Sequence, residues 1–217
     1  MRRCVVIGGG GHAKVVIDAM RLQGRYKPVA VTDSDDLRKQ DSVLGVPIVG
    51  NDNELKKLYS QGIKHFIVGL GSRRNNLTRK DLFDLARGYG FMPAMVVHPN
   101  ALLATSATVG LGSLVLAGAI INPDARIGEN VIINTGAIVE HDCVVGNHVH
   151  LCPGVRLSGS VEVGEGSLVS AGALVRQNLQ IGDWVVIGMG AVVVKSVAPR
   201  STVAGVPARR LRSERSR

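Results

Sequence analysis

Read in steps of six from Leu103, the chain places an aliphatic residue at sixteen consecutive positions, from Leu103, Val109 and Val115 through to Ile181, Ile187 and Val193. Four residues after each stands a small or apolar one, from Ala107 and Ser113 to Ala191 and Val197. If aliphatics fill roughly a third of positions, chance does not produce such a run. A period of six matches neither the 3.6-residue repeat of a helix nor the alternation of a half-buried strand. It predicts a parallel β-helix, in which each hexad makes one short flat strand and one corner and three hexads close a coil. The run is unbroken, so no long loop interrupts the prism.

Ahead of the repeat the pattern changes. "RRCVVIGGGGHAKVVIDAMRLQG" reads as an apolar strand, a glycine turn and a helix with Val15, Val16, Ala19, Met20 and Leu22 at helical spacing. "KPVAVTDSDD" and "GIKHFIVGLG" read as further strands, "NNLTRKDLFDLARGYG" as a helix closed by Gly88 or Gly90, and "FMPAMVVHP" as a last strand. Strands alternating with helices predict a small parallel sheet. The expected organisation is an α/β Rossmann-like half domain over residues 1–100, a β-helix over 101–198, and a basic tail over 199–217.

Composition agrees with many short stacked strands: aromatics are 3% of the chain. Cys4, Cys143 and Cys152 have no metal-ligand or disulfide spacing, and no metal is expected. Neither a leader nor an apolar span of membrane length is recognisable, which points to a soluble cytoplasmic protein without membrane insertion. The net charge of +9 suggests nucleic acid at first sight. Much of it lies in "ARRLRSERSR", where a solvated tail accounts for it and no stacking aromatics are interleaved, so no nucleic-acid partner is expected.

Two places carry candidate chemistry. The glycine turn fits G-x-G-x-x-A as Gly8, Gly10 and Ala13, a loop that brings backbone N–H groups to a phosphate at a helix N-terminus. Asp33, about 20 residues on, ends the second strand, where an acid can accept from a ribose or base. About 100 residues make one mononucleotide-binding half, so a single-base nucleotide is expected and a dinucleotide oxidoreductase is disfavoured. The second place is "INTGAIVEHDCVVGNHVHLCPGV". In the repeat frame His141 lies between inward Val139 and Cys143, at or near a corner, and is no core filler. His150 follows nine residues later, half a coil away, so the two approach only across a subunit boundary. His148 is expected at the surface.

The "IGGGGHAK" loop, the repeats containing "INTGAIVEHDCVVG" and the closing "VAGVPARRL" together resemble the bacterial sugar acyltransferases of the left-handed β-helix class. Its members include N-acetyltransferases acting on UDP- and GDP-linked 4-amino sugars and the sialic acid O-acetyltransferases. The resemblance implies left-handed coiling, a homotrimer, and acetyl-CoA as co-substrate in the groove between prisms. It implies His141 as general base with Asp142 as its acid partner, chosen over Glu140. Gly10, Gly11, His12, Asp33 and Asp35 would bind a nucleotide-linked amino sugar, expected to be UDP-linked. Asn134 matches an asparagine near the reacting amine, from which an amide can accept a hydrogen bond. His150, Gly159, Ala171 and Met189 match the acetyl-CoA side; Lys195 and the basic tail could meet its phosphates, a solvated tail being the simpler alternative. The chain departs from the family at "LGSRRNN", where relatives often have "IGDN" or "IGNN" and this chain has Ser72 and Arg73 in place of the acid or asparagine and the asparagine that follows; Arg73 or Arg74 could reach a phosphate instead. Three functions remain at this point: N-acetylation of a nucleotide-linked amino sugar, O-acetylation of a sugar of the sialic acid type, and a non-catalytic scaffold.

Overall fold

The computed structural model describes residues 1–35, 41–72 and 75–211. Strand β1 (Arg2–Ile7) is buried from Cys4 onward and lies at the centre of a sheet. Helix α1 (Gly11–Gln23) follows it, then β2 (Tyr26–Thr32), β3 (Ser42–Val43), β4 (Val46–Gly50), α2 (Leu55–Ser60), β5 (His65–Val68), α3 (Leu77–Gly88) and β6 (Met92–Pro93). The order β3-β4-β2-β1-β5-β6 is parallel except for the β3–β4 hairpin. The chain leaves β1 with β2 on one side and β5 on the other, so a crevice opens at the carboxyl ends of the strands. Helix α1 buries Ala13, Val16, Ile17, Ala19 and Met20, whereas Val15 and Leu22 point to solvent. The expected apolar stripe was therefore one residue out of phase at its ends. Gly24 closes the helix at φ 70°, its N–H bonding to Met20 O.

The segment read as one last strand is two. Met92–Pro93 completes the α/β sheet, while Val96–Val97 is the first rung of the prism, its Val96 N–H donating to Ser113 O at 3.0 Å. Pro93 has no N–H to continue the first ladder, and the chain changes sheets there. Prism rungs repeat every 18 residues in parallel register, as Leu114↔Ile132 and His150↔Leu168. The result is a left-handed β-helix of three faces. The first face carries Val96–Val97, Leu114–Val115, Ile132–Ile133, His150–Leu151, Leu168–Val169 and Val186–Ile187. The second includes Ile138–Val139, Arg156–Leu157 and Leu174–Val175, and the third includes Arg126–Ile127, Val144–Val145 and Glu162–Val163. Thr202–Ala204 extends the first face and Arg209–Arg210 returns antiparallel to it, so sheet structure runs on into the segment read as a tail.

The second residue of each rung stacks inward, Ile133, Val139, Val145, Leu151 and Leu157 being at most 1% exposed. The repeat frays only at its start, where Leu103 is 40% exposed because no coil lies beneath it. The corners follow a second rule. Every sixth residue from Gly112 to Gly190 has positive φ, near 54–77°. Glycine, Asn and Asp tolerate that left-handed conformation best, and eleven of these fourteen corners are Gly, Asn or Asp. His148, Ser160 and Trp184 are the others.

The α/β part packs on the first face and on the edge where the third face meets it. Leu114, Leu116 and Ile132 share a buried cluster with Val6, Ile17 and Met20. Phe83 packs edge-on to His148, with ring centroids 5.6 Å apart.

Candidate active site

His141 stands on the edge between the second and third faces, the edge opposite the face that carries the α/β part. Its neighbour Asp142 takes the left-handed corner place at φ 61°, which turns the carboxylate back onto the ring: Nδ1 and Oδ2 are 2.7 Å apart. With Nδ1–H donated to the acid, Nε2 is the basic nitrogen, and no bond occupies it among the described residues. The Asp142 hydrogen bond raises the imidazole above its ordinary 6.5, and the charges of Asp142 and Glu140 act in the same direction. Glu140 is not in contact with the ring; its Oε2 accepts from Asn122 Nδ2 at 2.9 Å. Gly159 lies one coil on beneath the imidazole. A Cβ there would sit 2.6 Å from both Cε1 and Nε2, so the ring keeps this position only over a glycine.

The crevice at the carboxyl ends of β1 and β2 is a cavity of about 850 Å³, lined by Gly8, Gly9, Gly10, Asp33, Asp35, Asp52, Leu70 and Arg79 among others. Gly8 turns at φ 98°, and its N–H donates to Thr32 O at 2.8 Å. Gly9, absent from the glycine motif as read, is the tightest point. Its N–H donates to Asp33 Oδ2 at 3.0 Å, and a Cβ would lie 2.6 Å from that oxygen. Asp33 Oδ1 in turn accepts from Asp35 N at 3.0 Å, which ties both expected acids to the loop. Gly10 is the N-cap of α1 and Gly11 its first residue, both with open space where a side chain would stand. Arg73 and Arg74 lie outside the described residues.

Arg79, on α3, is a cation at 1% exposure. Its guanidinium donates to Val68 O, Leu70 O and Asn130 Oδ1, the last at 2.8 Å, while Nε has no partner. Burial pulls it down to about 9, so it stays charged at neutral pH. Nothing in the sequence distinguishes it from the solvated cations of the same helix.

Three histidines share this sealed junction. His12, in α1, has a buried Nε2 without a partner, and burial followed by the Arg79 charge lowers it to about 4. His148 is not at the surface. It is 7% exposed, its Nδ1 lies 2.9 Å from Asn130 Nδ2, and burial brings it to about 4. Its corner position on the face covered by α3 is the reason. His150 is 4% exposed, with Nδ1 at 2.8 Å from Ser72 Oγ and Nε2 at 3.1 Å from Asn134 Nδ2. Desolvation lowers it well below 6.5. His150 and His141 are therefore not brought together within the chain.

The other residues expected on the acetyl-CoA side divide between two edges. Gly159 is with His141, whereas Ala171 and Met189 stack one coil apart on the edge between the first and second faces, Gly190 N–H bonding to Ala171 O. Asn134 is on that second edge too, and Met189 is 81% exposed. At the far end of the prism Lys195, Arg209 and Arg210 line a pocket of about 320 Å³. Among the described residues no cluster of three metal-ligating side chains occurs, and no helix is long and apolar enough to cross a membrane.

Comparison with known proteins places this arrangement. Residues 3–85 match the family model of the PglD N-terminal domain, and residues 124–159 match that of the bacterial transferase hexapeptide. The structure is similar to perosamine N-acetyltransferase from Caulobacter crescentus in complex with CoA and GDP-perosamine, with 40% identity, 98% of each chain covered and a TM-score of 0.91. It is also similar to the acetyltransferase domain of PglB from Neisseria gonorrhoeae FA1090 in complex with acetyl coenzyme A, at 37% identity, 97% and 99% coverage and a TM-score of 0.89. A comparison with curated proteins returned no match. The chain belongs to the acetyl-CoA-dependent sugar N-acetyltransferases of the hexapeptide-repeat class. Within this chain the candidate chemistry lies in two separate places, a polar crevice in the α/β part and an exposed imidazole–carboxylate pair on a prism edge. Sequence reasoning missed Gly9, Asp52 and Arg79. Asp52 accepts from Thr32 Oγ1 at 2.6 Å at the crevice, and its only signal was its place after the apolar strand β4.

Proposed function

We propose that this N-acetyltransferase transfers the acetyl group of acetyl-CoA to the amino group of a nucleotide-linked 4-amino sugar, with His141 as general base. The sugar's nucleotide occupies the crevice lined by Gly8, Gly10, Asp33 and Asp35. His141 Nε2 removes a proton from the attacking amine, whose nitrogen adds to the thioester carbonyl. Collapse of the tetrahedral intermediate expels the CoA thiolate, which takes up a proton. Asp142 holds the Nδ1–H and stabilises the imidazolium formed. The observation that carries this reading is the His141–Asp142 pair at 2.7 Å, exposed on an edge with Nδ1 held by the acid.

Within one chain that edge is opposite the face carrying the crevice, so we take the working site to be shared between copies. A homotrimer, with the crevice of one protomer beside His141 of another, meets the requirement. It also lets acetyl-CoA touch Gly159 on one prism and Ala171 and Met189 on its neighbour. The sequence suggested a UDP carrier. The 40%-identical relative was crystallised with GDP-perosamine, which supports testing a GDP-linked sugar first. We place the reaction in the cytoplasm, where acetyl-CoA and nucleotide sugars are made.

The test incubates the protein with acetyl-CoA and GDP-linked 4-amino, UDP-linked 4-amino and UDP-linked 3-amino sugars, with sialic acid as the O-acetylation control, following products by mass. An acetyl gain on one amino sugar, lost in His141→Ala, supports the proposal. Gain on sialic acid alone, or none, defeats it.

A further inference from the structure

One departure from the family pattern, Ser72, finds its place at the junction of the two parts. A continuous line of hydrogen bonds passes through it. Asn76, fully buried, faces Gly166 O at 3.2 Å and Ser167 O at 3.0 Å with the same side-chain atom. Only a donor is tolerated against two carbonyls, so that atom is Nδ2 and Oδ1 points the other way. Oδ1 meets Ser72 Oγ, and since Oδ1 has no hydrogen the hydroxyl must donate to it. Ser72 Oγ is then left as an acceptor for the His150 ring, so His150 Nδ1 carries the hydrogen. Nε2 is bare and accepts from Asn134 Nδ2. The far end agrees independently: Thr135 N–H donates at 2.8 Å to Asn134 Oδ1, which fixes the same amide orientation. Backbone groups at both ends therefore set one polarity for the whole line.

We propose that His150 is a positioning residue, the neutral Nδ1–H tautomer that links Ser72, on the loop rimming the crevice, to the carboxamide of Asn134 on the prism edge. Gly71 and Asn75, on either side of Ser72, line the crevice directly. This rests on the N-acetyltransferase reading and adds a direction to it. Asn134 Oδ1 is engaged by Thr135, and one Nδ2 hydrogen has no partner among the described residues. Asn134 thus offers a ligand a donor and meets an acceptor oxygen, contrary to the expectation that it accepts from the amine. Burial above all disfavours the charged form of His150, and Arg79 from α3 and His12 from α1, at a ring separation of 6.2 Å, act in the same direction; the Cys152 thiol, itself raised to about 11 by burial, lies 3.7 Å from Nε2. An acid at position 72 would instead give the ring a counter-ion; serine does not.

The test is NMR of the full chain labelled with 15N-histidine, in which two-bond ring correlations separate the tautomers. His150, assigned by its loss in His150→Gln, is expected as the Nδ1-protonated neutral ring from about pH 8 to about pH 5. An Nε2–H or charged ring in that range overturns the proposal. In kinetics, Ser72→Ala, which removes both hydrogen bonds of the hydroxyl, is expected to lower kcat about ten-fold with KM for acetyl-CoA unchanged. Ser72→Thr, which keeps the hydroxyl, restores kcat. A rise confined to KM for acetyl-CoA in Ser72→Ala and His150→Gln overturns it and gives His150 a direct acetyl-CoA role. If the wild type acetylates no amino sugar the function falls, yet the ring spectrum still decides the tautomer.

Discussion

His141 and the three histidines of the junction are the same side chain in opposite surroundings. His141 is 61% exposed, has a carboxylate on one nitrogen and is raised above 6.5. His12, His148 and His150 are sealed between the α/β part and the prism, with amides, a serine and a buried guanidinium for company, and all three are lowered. Burial penalises the imidazolium, whereas an adjacent acid favours it. A ring in the first setting takes up a proton more readily than a free imidazole and one in the second less readily. The contrast fits the proposed division, with proton transfer at the edge and positioning at the junction.

The largest effect is expected from removing the edge base. His141→Asn should cut acetyl transfer by about 10²–10⁴-fold, the usual share of a general base, with the thermal transition unchanged because the side chain packs on little. Next comes Gly159→Ala. The new methyl displaces the ring that lies 2.6 Å from where it must go, and kcat should fall about 10²-fold while the base itself is intact. A Gly159→Ala enzyme with full activity would mean the imidazole is free to work from elsewhere. Smaller, and more diagnostic, is Asp142→Asn. The acid raises His141, so the base form accumulates only above that raised value and kcat/KM climbs with pH through it. Replacing the acid should bring the midpoint down toward 6.5 and lower the plateau about ten-fold, read from a pH–rate profile. The same profile on His148→Gln should not move.

How far the sequence reached differs between the two settings for a physical reason. The hexad run exposed the prism because each inward residue is set by a period that depends on no distant contact, and Ile133 and Leu151 lie where that period puts them. His141 was legible by the same frame, being out of phase with the core and next to two acids. The burial of the junction histidines was not. His148 and His150 occupy outward positions of their hexads, and only the arrival of α3 and the Ser72 loop buries them. Arg79 was hidden likewise, since its burial depends on Asn130, 51 residues away. The break at Pro93, where one apparent strand serves two sheets, follows from tertiary pairing as well.

The smallest expected effect tests the junction by its stability. The unfolded chain binds protons at its histidines near 6.5, while folded His148 and His12 do so only near 4. Between those values the unfolded state carries more protons, so stability falls as pH drops through 6.5 and levels off below about 4. His141 has the opposite sign, its folded value being raised, and its contribution is present at low pH and lost as pH rises through that value. Because the ring is exposed to water this contribution is small. Chemical denaturation at pH 7 and pH 5 should therefore show the wild type less stable at the lower value. His148→Gln, which keeps a polar partner for Asn130 and cannot be protonated, should reduce that difference by roughly 1 kcal/mol. Arg79→Gln serves as the control for the field: its guanidinium also lowers His12, His148 and His150, so its loss should weaken the acid sensitivity of all three. If His148→Gln leaves the pH 5 deficit untouched, the ring is protonated within the folded junction and the contrast with His141 fails.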